Sequence, residues 1–420
     1  MEKVKILRYL DKIMEYCLYG LAFTIPISIS FIEIFATTAI VAFIAKKIML
    51  RENILPERFR NITHISLLLF LVFSGLSMFN SGEYLGISLS ALILKWVEYI
   101  FVFLIAEEVL NDERKFRNVL AFFLASAFLT GLEGIVQNIT GRGFIRGKSM
   151  VRVKGTVYGI AGPFNHYNDF ASYLVGVLPL AFVMIFSGKA IKENVAAWKD
   201  RYGVFFYLLT GILGFCLFST FSRGSWVGLL ASGALMILLS PKRKYIAAAM
   251  AGFLVLLLLI PVVRDRAMYT FQDGGDASRF EIWSGTLDMV GDAPFLGQGV
   301  GTYMSRFPEY IEDKGIQYAH NSYLQMWAEI GTFGLISFLV FMGSIMLRGV
   351  RLFVRRPPGV LSAGKEGLNY FVLLGLLCGL FGFLTHSFFD TQFYSLQQSV
   401  LMWFLFGLMS ALMDLIEKKA

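Results

Sequence analysis

Long apolar runs dominate this chain, and their lengths constrain the fold more than any motif does. A helix needs about 17 to 25 predominantly apolar residues to cross a bilayer, because lipid tolerates only a backbone that satisfies its own hydrogen bonds. Such runs lie near residues 14–31, 33–49, 64–80, 84–106, 117–138 and 169–187, and again near 203–220, 224–240, 245–262, 321–347, 369–388 and 396–416. They predict an all-α polytopic membrane protein with about twelve transmembrane helices, forming one membrane domain over 1–420. With 56% hydrophobic and 16% charged residues, the chain is excluded from the soluble class, where charged residues approach a quarter. Pro26 and Glu33 leave only a short turn between the first two runs. Residues 14–49 therefore read either as two spans, the preferred reading, or as one span plus a re-entrant piece.

Basic residues give an independent test, because Lys and Arg crowd cytoplasmic loops. With both termini placed in the cytoplasm, the cytoplasmic segments hold twenty-six of the 38 basic residues and the exterior segments eleven, with Lys95 inside a span. The net charge of +8 thus reports topology and does not point to nucleic acid. Cys17, Cys216 and Cys378 all fall within spans without metal-like spacing and read as packing residues. The basic N-terminus followed by an apolar run lacks a small-residue cleavage site, so it reads as a retained first helix.

Two polar segments then require explanation, both on the predicted exterior side. One is residues 139–168, containing Gly162-Pro163-Phe164-Asn165-His166-Tyr167-Asn168-Asp169. The other is a 58-residue island, Val263 to His320, between the ninth and tenth spans, expected to be a large helical loop carrying the active site. Within the island, Ser278 and Glu281 fit a capping box that predicts a helix over about 279–290, stopped by Gly291. Arg279 would sit in its first turn, where free N–H groups and the helix dipole favour an anion. A second helix is expected near Tyr303 to Asp313. Gly297-Gln298-Gly299-Val300-Gly301 resembles a nucleotide-binding glycine loop only superficially, because no strand or βαβ unit surrounds it.

The chemistry-bearing residues converge on phosphate. Arg223, at the exterior tip between the seventh and eighth spans, is costly in lipid but suited to a polar cavity or a phosphate; the competing reading is a snorkelling helix-end arginine. Arg223 and Arg279 offer planar, bidentate donors for a diphosphate. His320 ends the island where the tenth span begins, so a rigid helix would hold it at the surface, and an imidazole ordinarily titrates near neutrality as a general base requires. Its bland alternative is an interfacial histidine bonded to Asn321 or to backbone. His386 and Asp390, where the eleventh span exits, could orient His320 or contact sugar, and His166 is a weaker structural or substrate-contacting candidate. His64 is cytoplasmic in this topology and is assigned no role. No exterior D-x-D pair suggests a divalent cation, so no metal or other cofactor is expected.

Ser222-Arg223-Gly224, Ser278-Arg279 with Trp283, Pro294-Phe295-Leu296-Gly297-Gln298-Gly299, His320-Asn321-Ser322-Tyr323-Leu324, Glu329-Ile330-Gly331 and Gly334-Leu335 together resemble the O-antigen ligase and polymerase superfamily of bacterial membrane glycosyltransferases. The resemblance covers roughly residues 150 to 345 by motif and the whole chain by topology. It implies transfer of a glycan from an undecaprenyl-diphosphate carrier to an acceptor on the periplasmic face of the bacterial inner membrane, without metal or nucleotide. In the ligases the acceptor is the lipid A core oligosaccharide of lipopolysaccharide. The implied roles are diphosphate binding by Arg223 and Arg279 and deprotonation of the acceptor by His320, with inversion at the anomeric carbon. His320, Arg279 and Arg223 are the catalytic candidates, and Asp390, His386, Asn321 and His166 the supporting ones.

The modest length, without an added soluble domain, favours a lipid A core ligase over a polymerase or a protein O-oligosaccharyltransferase of the same superfamily. A transporter of lipid-linked glycan is the rival from another class. It would need a charged path between helices, yet ionisable residues within the spans are few, chiefly Lys95, Glu98 and Glu133.

Overall fold

The computed structural model describes residues 2–52, 61–187, 199–268, 277–312, 318–362 and 364–419. Each of the twelve predicted apolar runs falls mainly on helix, although the first, 14–31, is broken at Ile25–Ser28 and its last residues, with Glu33, belong to the second helix. In chain order the helices are α1 (Glu2–Thr24), α2 (Ile29–Leu50), α3 (Ile62–Ser77), α4 (Leu85–Ala91), α5 (Glu98–Val109), α6 (Glu113–Thr140), α7 (Tyr167–Met184) and α8 (Lys199–Ser219). They continue with α9 (Arg223–Leu239), α10 (Arg243–Leu259), α11 (Pro261–Met268), α12 (Ala277–Asp292), α13 (Tyr303–Arg306), α14 (Ser322–Val354), α15 (Gly364–His386) and α16 (Leu396–Glu417). A π-helical turn, Leu92–Val97, joins α4 to α5. Eight helical stretches among the described residues are long and apolar enough to cross a membrane, and 203–219 and 223–239 form shorter apolar helices. The chain is therefore an all-α multi-pass membrane protein, and the first two runs are two helices, separated at Ile25–Ser28.

Short polar side chains set the helix starts. Ser28, Asn61 and Asp112 each accept a hydrogen bond from a backbone N–H of the first turn that has no helical partner. Inside the bundle, α16 is almost wholly buried and forms the centre, with α5, α7 and α15 around it. Lipid removes most of the hydrophobic drive between helices, so close approach has to hold them together. Gly379 and Gly382 on α15 supply it: a side chain at either would overlap the carbonyl of Gly176 on α7 or of Gly228 on α9.

The two ends of the bundle differ in chemistry. At one, acids and bases pair across helices: Lys46 with Asp11 at 2.8 Å and Glu108 at 2.6 Å, and Arg348 with Asp414 at 2.6 Å. At the other lie both polar segments. Residues 139–168 are tied down by the last turns of α6, since Glu133 Oε2 accepts from the N–H groups of Phe144 and Ile145. Gln137 Oε1 does the same for Ala161 and Gly162. An antiparallel hairpin of β1 (Val151–Lys154) and β2 (Val157–Gly159) projects from this segment. The 263–320 island contains α12 and α13, with α11 at its start. Its first helix begins by Ala277, so Ser278 lies within the helix and not ahead of it, and the capping-box reading fails. The second predicted helix is shorter than expected, running Tyr303–Arg306 with a 3₁₀ turn to Glu309; Asp313 lies outside the described residues.

Candidate active site

His320 owes its position to a helix start stitched to a distant turn. Asn321 caps α14, its Oδ1 accepting from the N–H groups of Tyr323 and Leu324 at 3.0 Å each. Ser322 donates its backbone N–H to Ser387 O at 2.9 Å and its hydroxyl to Asp390 O at 2.8 Å, while Tyr323 Oη donates to Leu384 O. Held between cap and turn, His320 adopts φ 49°, a left-handed conformation uncommon for a side chain of its size. Its Nδ1 then lies 3.3 Å from Asp390 Oδ1.

Asp390 is itself fixed from three directions. Asn168 Nδ2 donates to Oδ2 at 2.6 Å, Thr391 N–H to Oδ1 at 2.9 Å, and His320 to Oδ1. Burial alone would raise this carboxyl group, yet the His320 hydrogen bond, the nearby charges of His320 and His386 and the Thr391 N–H hold it well below the usual carboxylate range. An ionised carboxylate only accepts, so the proton on Nδ1 faces Asp390 and the lone pair of Nε2 is the ring's free basic site. Asp390 is nearly buried and the His320 side chain 41% exposed, which leaves a solvent-reachable base on a buried anchor.

A cavity of about 350 Å³ opens beside this pair, lined by His320, Asp390, His166, Asp169, Tyr318 and Gln392 among others. His166 caps α7, its Nδ1 accepting from Asn168 N–H, so its role in the fold is structural even though its ring borders the cavity. His386 is buried a turn before Asp390, with Nδ1 unpartnered among the described residues.

The two arginines approach from separate elements. Arg279 lies in the opening turns of α12, one helical turn before Trp283, whose Nε1 donates to Ala319 O at 3.0 Å and so docks α12 against the residue preceding His320. Arg279 is within electrostatic range of His386. Arg223 is the first residue of α9. The next residue, Gly224, packs so closely that a Cβ there would come within 2.8 Å of the His386 ring. Phe221 just before it has φ 54°, a second left-handed non-glycine residue at this end. The structure thus brings His320, Asp390 and His386 together, sets Arg279 and the Arg223 helix start around His386, and leaves Asn321 as a helix cap.

The glycine-rich loop has a different use. α14 breaks at Gly331 (φ 68°, ψ −177°), and residues 294–299 replace the lost helical hydrogen bonds. Gln298 N–H donates to Ala328 O and Gly299 N–H to Glu329 O, each at 2.9 Å, while Thr332 N–H donates to Pro294 O at 2.9 Å. The buried Glu329 side chain accepts from Gly301 N–H at 2.8 Å and Tyr303 N–H at 3.3 Å. These N–H groups are committed within the protein, so the loop is a clasp on α14 and not a phosphate cradle.

Sequence reasoning missed Asn168 and the 391–395 turn that floors the cavity. Asn168 stands inside a quoted segment, but nothing local marks it as the partner of a carboxylate 222 positions away.

Fold and site together define a multi-pass membrane protein with a polar, histidine-lined cavity at one end of its bundle; neither Arg223 nor Arg279 is among the residues that line it. Residues 208–339 match the family model described as O-antigen ligase, and this supports membership of the O-antigen ligase superfamily of membrane glycosyltransferase-like ligases and polymerases. The matched stretch contains Arg223, Arg279, His320 and the Glu329–Gly331 break, while Asp390 lies beyond it. No curated protein matches the chain.

Proposed function

We propose that this protein is an O-antigen ligase, transferring a glycan from undecaprenyl diphosphate to the lipid A core at the periplasmic face of the bacterial inner membrane. In this reading all twelve apolar helices cross the membrane and both termini are cytoplasmic. His320 Nε2 takes the proton of an acceptor hydroxyl, and the oxygen attacks the anomeric carbon as the bond to the diphosphate breaks, inverting its configuration. Arg223 and Arg279 neutralise the charge growing on the leaving diphosphate, and Asp390 holds the His320 ring and stabilises the imidazolium that forms. The observation that carries the proposal is the pairing of His320 with a buried Asp390 beside a polar cavity, within a chain whose 208–339 segment matches the ligase family.

The deciding experiment incubates purified protein with undecaprenyl-diphosphate-linked glycan and lipid A core. Covalent transfer without ATP, abolished in His320→Ala, is the expected result. Elongation of the carrier-linked glycan in place of transfer would identify a polymerase, transfer to protein a protein O-oligosaccharyltransferase, and movement of donor across vesicles without transfer a transporter.

A further inference from the structure

Residues 139–168 hold five basic residues and no acidic one. In the proposed topology this segment is exterior, the side on which short loops ordinarily carry few Lys and Arg. A fixed frame presents the charges. Gly143 N–H donates to Lys148 O at 2.8 Å and Arg142 bridges to Ser149, which closes 141–150 into a tight loop. From beneath, the buried Gln137 donates to Lys148 O at 2.9 Å, and the buried Glu133 is turned inward onto the N–H groups of Phe144 and Ile145. Arg142, Arg146 and Arg152 are exposed and Lys148 is half-buried. The side-chain acceptors they have among the described residues are neutral: Arg146 Nη1 donates to Pro163 O at 3.0 Å, Lys148 Nζ to Asn165 Oδ1 at 2.5 Å and Arg152 Nε to Gly155 O at 2.6 Å. The positive charges are therefore left uncompensated, with most of the guanidinium donors still open.

The same contacts place this patch beside the site of transfer. Asn165, which Lys148 holds, precedes His166 on the border of the cavity. Past the end of β2, Ile160 N–H donates to Ser219 O at 3.2 Å, just ahead of Arg223. The basic loop is thus fastened both to the cavity rim and to the approach to Arg223. Phe144 is exposed, and so is Tyr158, the cross-strand partner of Arg152. Exposed aromatic rings at the end of a membrane bundle sit at head-group depth, so an anion held by this loop lies at the membrane surface. The charge pattern then indicates which reactant brings the anion. In the proposed mechanism the donor's compact diphosphate already has Arg223 and Arg279, whereas arginines spread along a loop and a hairpin match phosphates spread over a larger headgroup.

We infer that the 142–152 loop and hairpin dock the phosphate groups of the acceptor glycolipid, holding its anionic part at the membrane surface while a sugar hydroxyl enters the cavity. The inference rests on the transferase reading and adds to it that the acceptor is selected by its charge. Arg142 and Arg152 supply the test, because both are exposed and neither braces the 163–165 stretch as Arg146 and Lys148 do. Arg142→Gln/Arg152→Gln therefore removes two charges and leaves the frame intact. Arg264, exposed beside Asp265 and outside this segment, makes Arg264→Gln the matched control.

The measurement compares transfer to lipid A core with its phosphates intact and after phosphatase treatment. On the phosphorylated acceptor the double variant is expected to raise the acceptor KM about tenfold, as for two exposed charge-assisted contacts, with the donor KM unchanged and a weaker dependence of the acceptor KM on salt. On the dephosphorylated acceptor wild type should already show the raised KM, and the double variant no further rise. Arg264→Gln should match wild type on both. A double variant that loses equally on the two acceptors would overturn the inference and leave the patch to anionic bilayer lipid, and one that loses on neither would overturn it outright. Wild type without transfer to either acceptor would sink the transferase reading instead. In that case binding still decides the site, with lipid A core titrated into the purified protein and followed by tryptophan fluorescence. Affinity that needs the phosphates and falls in the double variant supports it, and equal binding of the intact and dephosphorylated forms refutes it.

Discussion

Asn168 and His320 hold opposite oxygens of one carboxylate. Asn168 Nδ2 is 2.6 Å from Asp390 Oδ2, and His320 Nδ1 is 3.3 Å from Asp390 Oδ1, so the start of α7 and the start of α14 are joined through a single buried side chain. Asp390→Asn keeps the volume but replaces an acceptor-only group with one that also donates, allowing the other His320 tautomer. The expected loss is about 10² to 10⁴ in kcat with KM little changed, as for removal of a general base's function. A kcat within threefold of wild type in steady-state transfer assays would reject the anchoring role.

The same carboxylate gives a pH signature in stability. Its folded-state pKa is depressed, so its contribution is fully present above the unfolded carboxylate value of about 4 and fades as pH falls toward the lower folded value. Thermal unfolding in detergent should show a gap between wild type and Asp390→Asn that is constant from neutral pH down to about pH 5 and narrows in more acidic buffer. A gap that widens on acidification would contradict the geometry.

Arg279→Lys is expected to lower the transfer rate more than about tenfold, because a point charge cannot reproduce a planar fork on phosphate. Circular dichroism should show helix content unchanged. Near-normal turnover would mean that Arg279 does not contact the diphosphate.

If arginines neutralise the leaving group, chelation should not matter. Transfer assayed with and without EDTA is expected to proceed at the same rate, and a loss restored by magnesium would overturn that part of the mechanism.

Gly331 has φ 68° and ψ −177°, a region open almost only to glycine, and a Cβ there would overlap the Phe295 carbonyl. Gly331→Ala is therefore expected to cost about 3 kcal/mol or more. A melting temperature unchanged from wild type would show that the clasp yields easily.

The helices were legible because the bilayer sets their length. The apolar runs and the placement of His320 at a helix start followed from local pattern. The positions of Asp390 and His386 at the exit of α15 were legible too; of the two readings left open for them, orienting His320 or contacting sugar, the Asp390–His320 hydrogen bond bears on the first, and for Asp390 alone. What sequence could not give is pairing between distant segments. The Asn168–Asp390 bond depends on α7 and α15 packing side by side, and no periodicity records it. Ser278 misled because the S-x-x-E spacing that caps a helix also occurs inside one. The glycine loop was rightly refused a nucleotide role, but its use as a clasp was not legible, because that work is done by backbone N–H groups, which leave no trace in residue type beyond the glycines themselves.

The break in α14 has a consequence for how the protein is made. Until residues 294–299 fold back onto it, the helix enters the bilayer with the Ala328 and Glu329 carbonyls and the Thr332 N–H unmet, each a cost of several kcal/mol in lipid. Insertion of α14 is thereby coupled to the folding of a segment synthesised just before it. A lesion in the loop would be felt first as failed biogenesis, well before any reactant meets the protein.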